Sequence, residues 1–297
     1  MQPNAPIGII GLGLMGTALS ERLIEADVPW IGFDIEASRC EKLKAAGGMV
    51  ATSVHELASR SRTIVVAVYG GEQVEALFDG LESGAGPARP IVICTTTCTP
   101  DEIIRLAERA RRADIALVEA PISGTSAEVR DGTATALVAG EAGAISSVGM
   151  LLDTLCPRRL RVGAIGDASR TKLAINLILQ NNRAALAEGI AFAEALGLNG
   201  RSFLAAARYS AAYSRVMETK GEKMLAQDFR PQSHISQTLK DAELILEEAA
   251  RHGLVLPITT AQAGLLRAAI ALEGPDGDSA AVIEAIRQRP AATEVIG

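Results

Sequence analysis

The stretch IGIIGLGLMGTALSERLIEA, residues 7–26, constrains the fold of this 297-residue chain more than any other. A short β-branched run stops at Gly11, glycines recur at Gly13 and Gly16, and Ala18, Leu19, Leu23 and Ile24 return at helical spacing. A strand that feeds a helix through so tight a loop must lay that helix back across a sheet. With 28 glycines in the chain, the spacing alone carries little, so its surroundings decide how it is read. They repeat the theme. PWIGFD is a second apolar run, closed by Asp34, and ASRCEKLKAAG is helical and ends on glycine. TIVVAVYG, EQVEALFDGL and PIVICTTT read as strand, helix and strand. TPDEIIRLAERARRA opens with Thr99 as N-cap and Pro100 as first helical residue, and IALVEAP and ATALVAG supply further strands. This alternation predicts an α/β domain, a mostly parallel sheet with helices on both faces.

In that setting the glycines acquire separate tasks. Gly11 permits the tight turn, Gly13 lets a pyrophosphate approach the backbone, and Gly16 allows close packing of helix on strand. The loop Gly11, Leu12, Gly13, Leu14, Met15 and Gly16 therefore reads as a dinucleotide cradle, with the helix N-terminus offering amides to the phosphates. A glycine turn without a ligand is the competing reading, and the strand–loop–helix context favours the cradle. Asp34, ending the second strand, is placed to accept hydrogen bonds from an adenine ribose, which favours NAD. Arg39, five residues on, keeps NADP open.

Bulk properties remove other classes. The net charge is −6 with no basic block, which argues against nucleic acid as partner. His55, His234 and His252 are isolated and the four cysteines are spread along the chain, so no metal site is expected, and the thiols read as free in a reducing compartment. MQPNAP carries no basic leader, and no apolar run reaches a membrane-spanning ~18 residues. A cytoplasmic protein is the expectation.

From about Gly166 strand signals vanish. DASRTKLAINLILQNNRAALAEGIAFAEALGL reads as one long helix, followed by GRSFLAAARYSAA, SQTLKDAELILEEAARHG and PITTAQAGLLRAAIALEG. The chain thus divides into a dinucleotide-binding domain at 1–164 and an all-α substrate and dimerisation domain at 165–297, with CPRRLRVGAIGD as the connection and RPAATEVIG as a loose tail. So long and apolar a helix needs covering by its own domain and by a second subunit, which predicts a homodimer or homotetramer.

Five blocks, IGIIGLGLMG, VICTTTCTP, EAPISGTSAEVRDGTATALVAG, GAIGDASRTKLAIN and DFRPQSHISQTLKDAEL, stand in an order and spacing that resembles the β-hydroxyacid dehydrogenases. The resemblance spans nearly the whole chain. It implies a Rossmann-type domain followed by an all-α domain, as in 6-phosphogluconate dehydrogenase, and NAD(P)-dependent oxidation of a small 3-hydroxy acid. It also implies roles: Lys172 as acid/base catalyst, Asn176 beside it, and Ser123, Gly124 and Thr125 holding the substrate carboxylate. Thr97 would pack beside the nicotinamide, and Lys240 would belong to a Lys-Asp pair over the cofactor. Lysine suits the chemistry if desolvation and a nearby cationic ring lower its pKa.

The chain also departs from the family pattern. Tyr69-Gly70-Gly71 replaces a Leu-Pro segment, Ile175 stands where asparagine is usual, and Gln232 and Ser233 replace glycine and an aromatic. With His234 and Gln237, these residues predict a polar pocket suited to a polyhydroxylated acid or semialdehyde. Two other readings share the architecture, an imine reductase and a catalytically silent dinucleotide-binding scaffold. Both tend to lack the lysine at position 172.

Overall fold

The computed structural model describes residues 5–86 and 90–288. The chain divides into two compact units, Met1–Lys172 and Leu173–Gly297. The tail expected to be loose, 289–297, lies outside the described residues.

The first unit runs β1 (Ile7–Ile10), α1 (Leu14–Glu25), β2 (Trp30–Phe33), α2 (Ala37–Ala45), β3 (Met49–Val50), α3 (Val54–Arg60), β4 (Thr63–Val66) and α4 (Gly71–Gly84). It continues with β5 (Ile91–Cys94), α5 (Pro100–Arg112), β6 (Ala116–Glu119), β7 (Ile122–Ser123) and α6 (Ser126–Arg130). β8 (Thr135–Gly140), α7 (Ala142–Ser147), α8 (Gly149–Leu155) and β9 (Arg158–Gly163) complete it. The nine strands form one sheet in the order β3-β2-β1-β4-β5-β6-β8-β7, with β9 paired to β8. β3 through β6 are parallel along that order, and β8 runs antiparallel to β6 and β7.

Strand alternation builds the two faces. Ile9, Val65, Ile93 and Val118 pack on one side with Leu19 and Leu23 of α1 and Leu152 and Leu155 of α8. Their chain neighbours Ile10, Val66, Val92 and Leu117 pack on the other with Leu57, Phe78 and Leu106, from α3, α4 and α5. Each such aliphatic side chain contributes on the order of 1.5–3 kcal/mol by leaving water. Thr99 caps α5 as expected. Its hydroxyl accepts from the Glu102 amide while the Glu102 carboxylate takes the Thr99 amide, with Pro100 in the first turn.

One segment departs from the sequence reading. CPRRLRVGAIGD, expected to be a connection, contains β9, parallel to β8 from Arg158 to Gly163. Its arginines hide the alternation because the strand is mostly exposed and pairs through its backbone.

The second unit holds most of α9 (Asp167–Ala195), then α10 (Gly200–Arg208), α11 (Val216–Ala226), α12 (Ile235–Arg251), α13 (Pro257–Glu273) and α14 (Val282–Arg287). Its core gathers Ile190, Leu204, Met224, Ile235, Leu266 and Ile283. α9 is the single long helix read from the sequence. The two units divide inside it, between Lys172 and Leu173, and Glu119 of the first unit holds its opening turn, as described below. No helix among the described residues is long and apolar enough to cross a membrane.

Candidate active site

The β1–α1 loop shows why three glycines are needed. Gly11 has φ of +92°, and its amide donates to the Phe33 carbonyl at 2.9 Å. A side chain there would overlap the Ala67 carbonyl, and one at Gly16 would overlap the Gly11 carbonyl oxygen. Gly13 is different. A Cβ at Gly13 meets nothing nearer than the Arg39 guanidinium at 3.7 Å, so the protein's own packing does not demand glycine there. Gly13 is also the N-cap of α1 and supplies no capping side chain, so the helix opens with its amides offered to an anion. Space kept clear before a helix N-terminus fits a pyrophosphate. Leu12, Leu14 and Met15 complete the loop.

Asp34 is buried and tied to that loop. Its Oδ2 accepts from the Leu12 amide at 2.7 Å and from Arg39 Nη1 at 3.1 Å, and its Oδ1 accepts from the Glu36 amide at 2.8 Å. Each carboxylate oxygen can accept twice, so Oδ1 retains capacity for a ribose hydroxyl. Arg39 also pairs with Glu36 at 3.0 Å. The Thr97 segment is stitched to the end of β4: Thr95 Oγ1 donates to the Val66 carbonyl, and Thr96 Oγ1 accepts from the Val68 amide. Thr97 follows, buried.

A second cluster forms where β6, β7 and the start of α9 meet. Lys172 is buried, and its Nζ donates to the Ile122 carbonyl at 2.7 Å, one residue before Ser123. The fold thus holds Lys172 against the strand that leads into Ser123 and Gly124, 50 positions earlier in the chain. Gly124 has φ of +152° and lies against Ala134, a conformation that suits glycine. Thr125 caps α6: its hydroxyl accepts from the Glu128 amide, and its own amide donates to Glu128 Oε2 at 2.8 Å.

Glu119 is the residue that sequence reasoning missed. It ends β6 and accepts from the amides of Gly166 (2.8 Å) and Ser169 (2.5 Å), so it clamps the first turn of α9 immediately ahead of Lys172. Burial pushes its carboxyl above the ordinary carboxylate value, against the pull of the Ser169 and Gly166 hydrogen bonds. An acid closing an otherwise apolar strand, in IALVEAP, was the available signal.

In the second unit Asn176 Nδ2 donates to Asp241 Oδ2 at 2.9 Å, and Lys240 pairs with Asp241 at 3.1 Å. Asn176 lies one turn beyond Lys172 on α9. Of the polar residues expected to shape a pocket, Ser233 bonds Ser279 and His234 bonds the Asp276 carbonyl. Both serve the unit's own framework. The exposed Tyr69 has its amide held by Gln73. Among the described residues, no group of three or more His, Cys, Asp and Glu could hold a metal ion.

Residues 6–163 match the family model described as the NAD binding domain of 6-phosphogluconate dehydrogenase. Residues 166–286 match that described as NAD-binding of NADP-dependent 3-hydroxyisobutyrate dehydrogenase. The chain belongs to the β-hydroxyacid dehydrogenase family. Among curated members of that family, it is similar to an L-threonate dehydrogenase of Cupriavidus necator, with 28% identity over 93% of this chain and 94% of the relative. It is also 30% identical to a probable 3-hydroxyisobutyrate dehydrogenase-like protein of Arabidopsis thaliana, over 82% of each chain. A solved 3-hydroxyisobutyrate dehydrogenase from Salmonella typhimurium shares the fold at a TM-score of 0.85 and 24% identity, covering 95% of this chain and 99% of that one. As a β-hydroxyacid dehydrogenase the chain is an NAD(P)-dependent oxidoreductase, and the matched residues 6–163 include its glycine loop.

Proposed function

We propose that this β-hydroxyacid dehydrogenase interconverts a small 3-hydroxy acid and its carbonyl form, with Lys172 moving the proton. The observation that carries the reading is the Lys172 amine held 2.7 Å from the Ile122 carbonyl, beside the Ser123–Gly124 turn. The dinucleotide, when bound, supplies the hydride acceptor or donor. In oxidation the neutral Lys172 amine takes the hydroxyl proton; in reduction the ammonium returns it. The Ile122 carbonyl accepts from either form of the amine, so Lys172 keeps its place through both protonation states. Ser123 and Gly124 hold the substrate carboxylate, and Thr125, engaged in capping α6, fixes the turn that presents them. Asn176 positions the substrate hydroxyl, while Thr97 and Lys240 contact the cofactor.

A panel of 3-hydroxy acids, including polyhydroxylated ones, assayed for nicotinamide reduction tests this reading. Turnover of at least one is expected, and a panel wholly without turnover overturns it. With each cofactor in turn, the panel also tests Asp34. Its carboxylate, facing a ribose, should give NAD the higher kcat/KM, and a preference for NADP of about tenfold or more would overturn that assignment.

The four cysteines are free, which fits a reducing, cytoplasmic setting. α9 leaves Ile178 and Phe192 exposed at 60% and 66%, and Leu196, just past its end, at 62%. Apolar area of this kind along one helix supports a dimer built on α9, singly or as a dimer of dimers. Sedimentation at micromolar concentration should then show no monomer; a folded, active monomer sinks the idea.

A further inference from the structure

α9 carries a polar stripe that its proton-transfer role does not use. Lys172, Asn176, Gln180 and Arg183 recur at four, eight and eleven residues from the first, within one face of the helix. Asn176, Gln180 and Arg183 are each buried to more than nine-tenths, at 4%, 2% and 6% exposure. Asn176 Oδ1, Gln180 Oε1, and Nε and Nη1 of Arg183 are buried without a hydrogen-bond partner among the described residues. Three neighbouring side chains short of partners on one face are far from the usual satisfaction of buried polar groups.

Asp278 and Asp241 are the carboxylates that act on Arg183, and each also holds another partner. Asp278 accepts from Lys220 Nζ at 2.6 Å and from the amides of Gln232 and Ala280. Asp241 accepts from Asn176 and pairs with Lys240. Arg183 forms no ion pair within 4.0 Å among the described residues. Burial pushes the Arg183 guanidinium down to about 10, only partly offset by Asp278 and Asp241. A buried cation without an ion pair among the described residues, with two of its nitrogens unused, is a receptor for an anion.

Reach connects this receptor to the substrate. Seven residues along a helix is about 10 Å, and helical side chains lean toward the N-terminus, so a long arginine returns toward the level of Asn176. Both residues are coupled to Asp241, Asn176 through its hydrogen bond and Arg183 through its charge. We propose that Arg183, with Gln180 beside it, forms a subsite for a second anionic group on the substrate, so that the preferred hydroxy acids are dianions. This rests on the assignment of Asn176 to the substrate. Gln180 accepts a hydrogen bond from a hydroxyl on the carbon chain that joins the two acidic groups.

Equilibrium binding to the full chain in the presence of NAD, read by calorimetry, tests the subsite without turnover. The probes are propionate, succinate and 3-phosphonopropionate, the last two separating a carboxylate from a phosphoryl group as the second anion. The wild type should bind at least one dianion about 30-fold or more tighter than propionate, and Arg183→Met should collapse that ratio toward unity. Arg183→Lys keeps the charge without the planar fork and should retain only part of the ratio. Equal binding of propionate and both dianions by the wild type overturns the subsite, whether or not Arg183→Met folds. A ratio preserved in a folded Arg183→Met protein overturns it equally. Running the hydroxy-acid panel in parallel separates the two readings. Oxidation of monoanions with no dianion preference removes the subsite alone, whereas Arg183-dependent dianion binding without oxidation of any panel acid removes the proposed 3-hydroxy-acid reaction alone.

Discussion

Lys172→Ala should lower kcat by roughly 10²- to 10⁴-fold while leaving dinucleotide affinity nearly intact. The amine is buried against the Ile122 carbonyl, whereas the glycine loop proposed for the phosphates opens α1. Its loss removes proton transfer and leaves that loop untouched. Removing the amine also strips the Ile122 carbonyl of a donor, which costs about 1–3 kcal/mol if the site stays dry. Lys172→Met keeps the length of the stem and checks that the activity loss is not an unfolding effect. Lys172→Arg should not restore turnover, since a guanidinium stays protonated and cannot accept the hydroxyl proton. In the wild type, oxidation should rise with pH and reduction should fall, because neutral amine serves the first and ammonium the second. Retention of more than about a tenth of wild-type kcat in Lys172→Ala would place the proton on another group.

The glycine loop supplies the second large effect, through a contrast. Gly13→Val adds atoms where the protein leaves clear space, so the thermal midpoint should move little beyond the cost of a poor N-cap. Dinucleotide affinity should fall by about 10- to 100-fold or more, as extra atoms forced into a close contact cost about 1–3 kcal/mol. Gly16→Val should behave in the opposite order. Its side chain would collide with the Gly11 carbonyl, at the packing of α1 on β1, so stability should suffer before affinity can be measured. Calorimetric binding of NAD and thermal unfolding, run on both variants, separate the two. A Gly13→Val protein that binds NAD as tightly as the wild type would remove the pyrophosphate from this loop.

Comparison of particular elements shows where sequence reading stops. Thr99-Pro100 announced α5 through local chemistry alone, and the structure has the full capping box. Ser53 and Glu56 form a similar local pattern ahead of α3, with the Glu56 amide bonded to the Ser53 hydroxyl, yet the short helix they open passed unread. β9 was hidden for a different reason: a strand paired mainly through its backbone places no periodic demand on its side chains. The four-residue spacing of Lys172 and Asn176, proposed as the catalytic pair, was visible because it lies within one helix.

The sequence by itself determined the βαβ alternation, the strand–glycine loop–helix entry and the long α9. These follow from contacts between near neighbours and from periods of two and 3.6 residues, which the order of residues displays directly. Tertiary structure alone decided that Glu119 clamps the start of α9, that Lys172 rests on the Ile122 carbonyl, and that Arg183 is buried with no ion pair among the described residues. Each joins or isolates groups some fifty or more residues apart. Such pairings leave no period in the chain, because burial and partnership depend on which distant elements the topology lays beside one another.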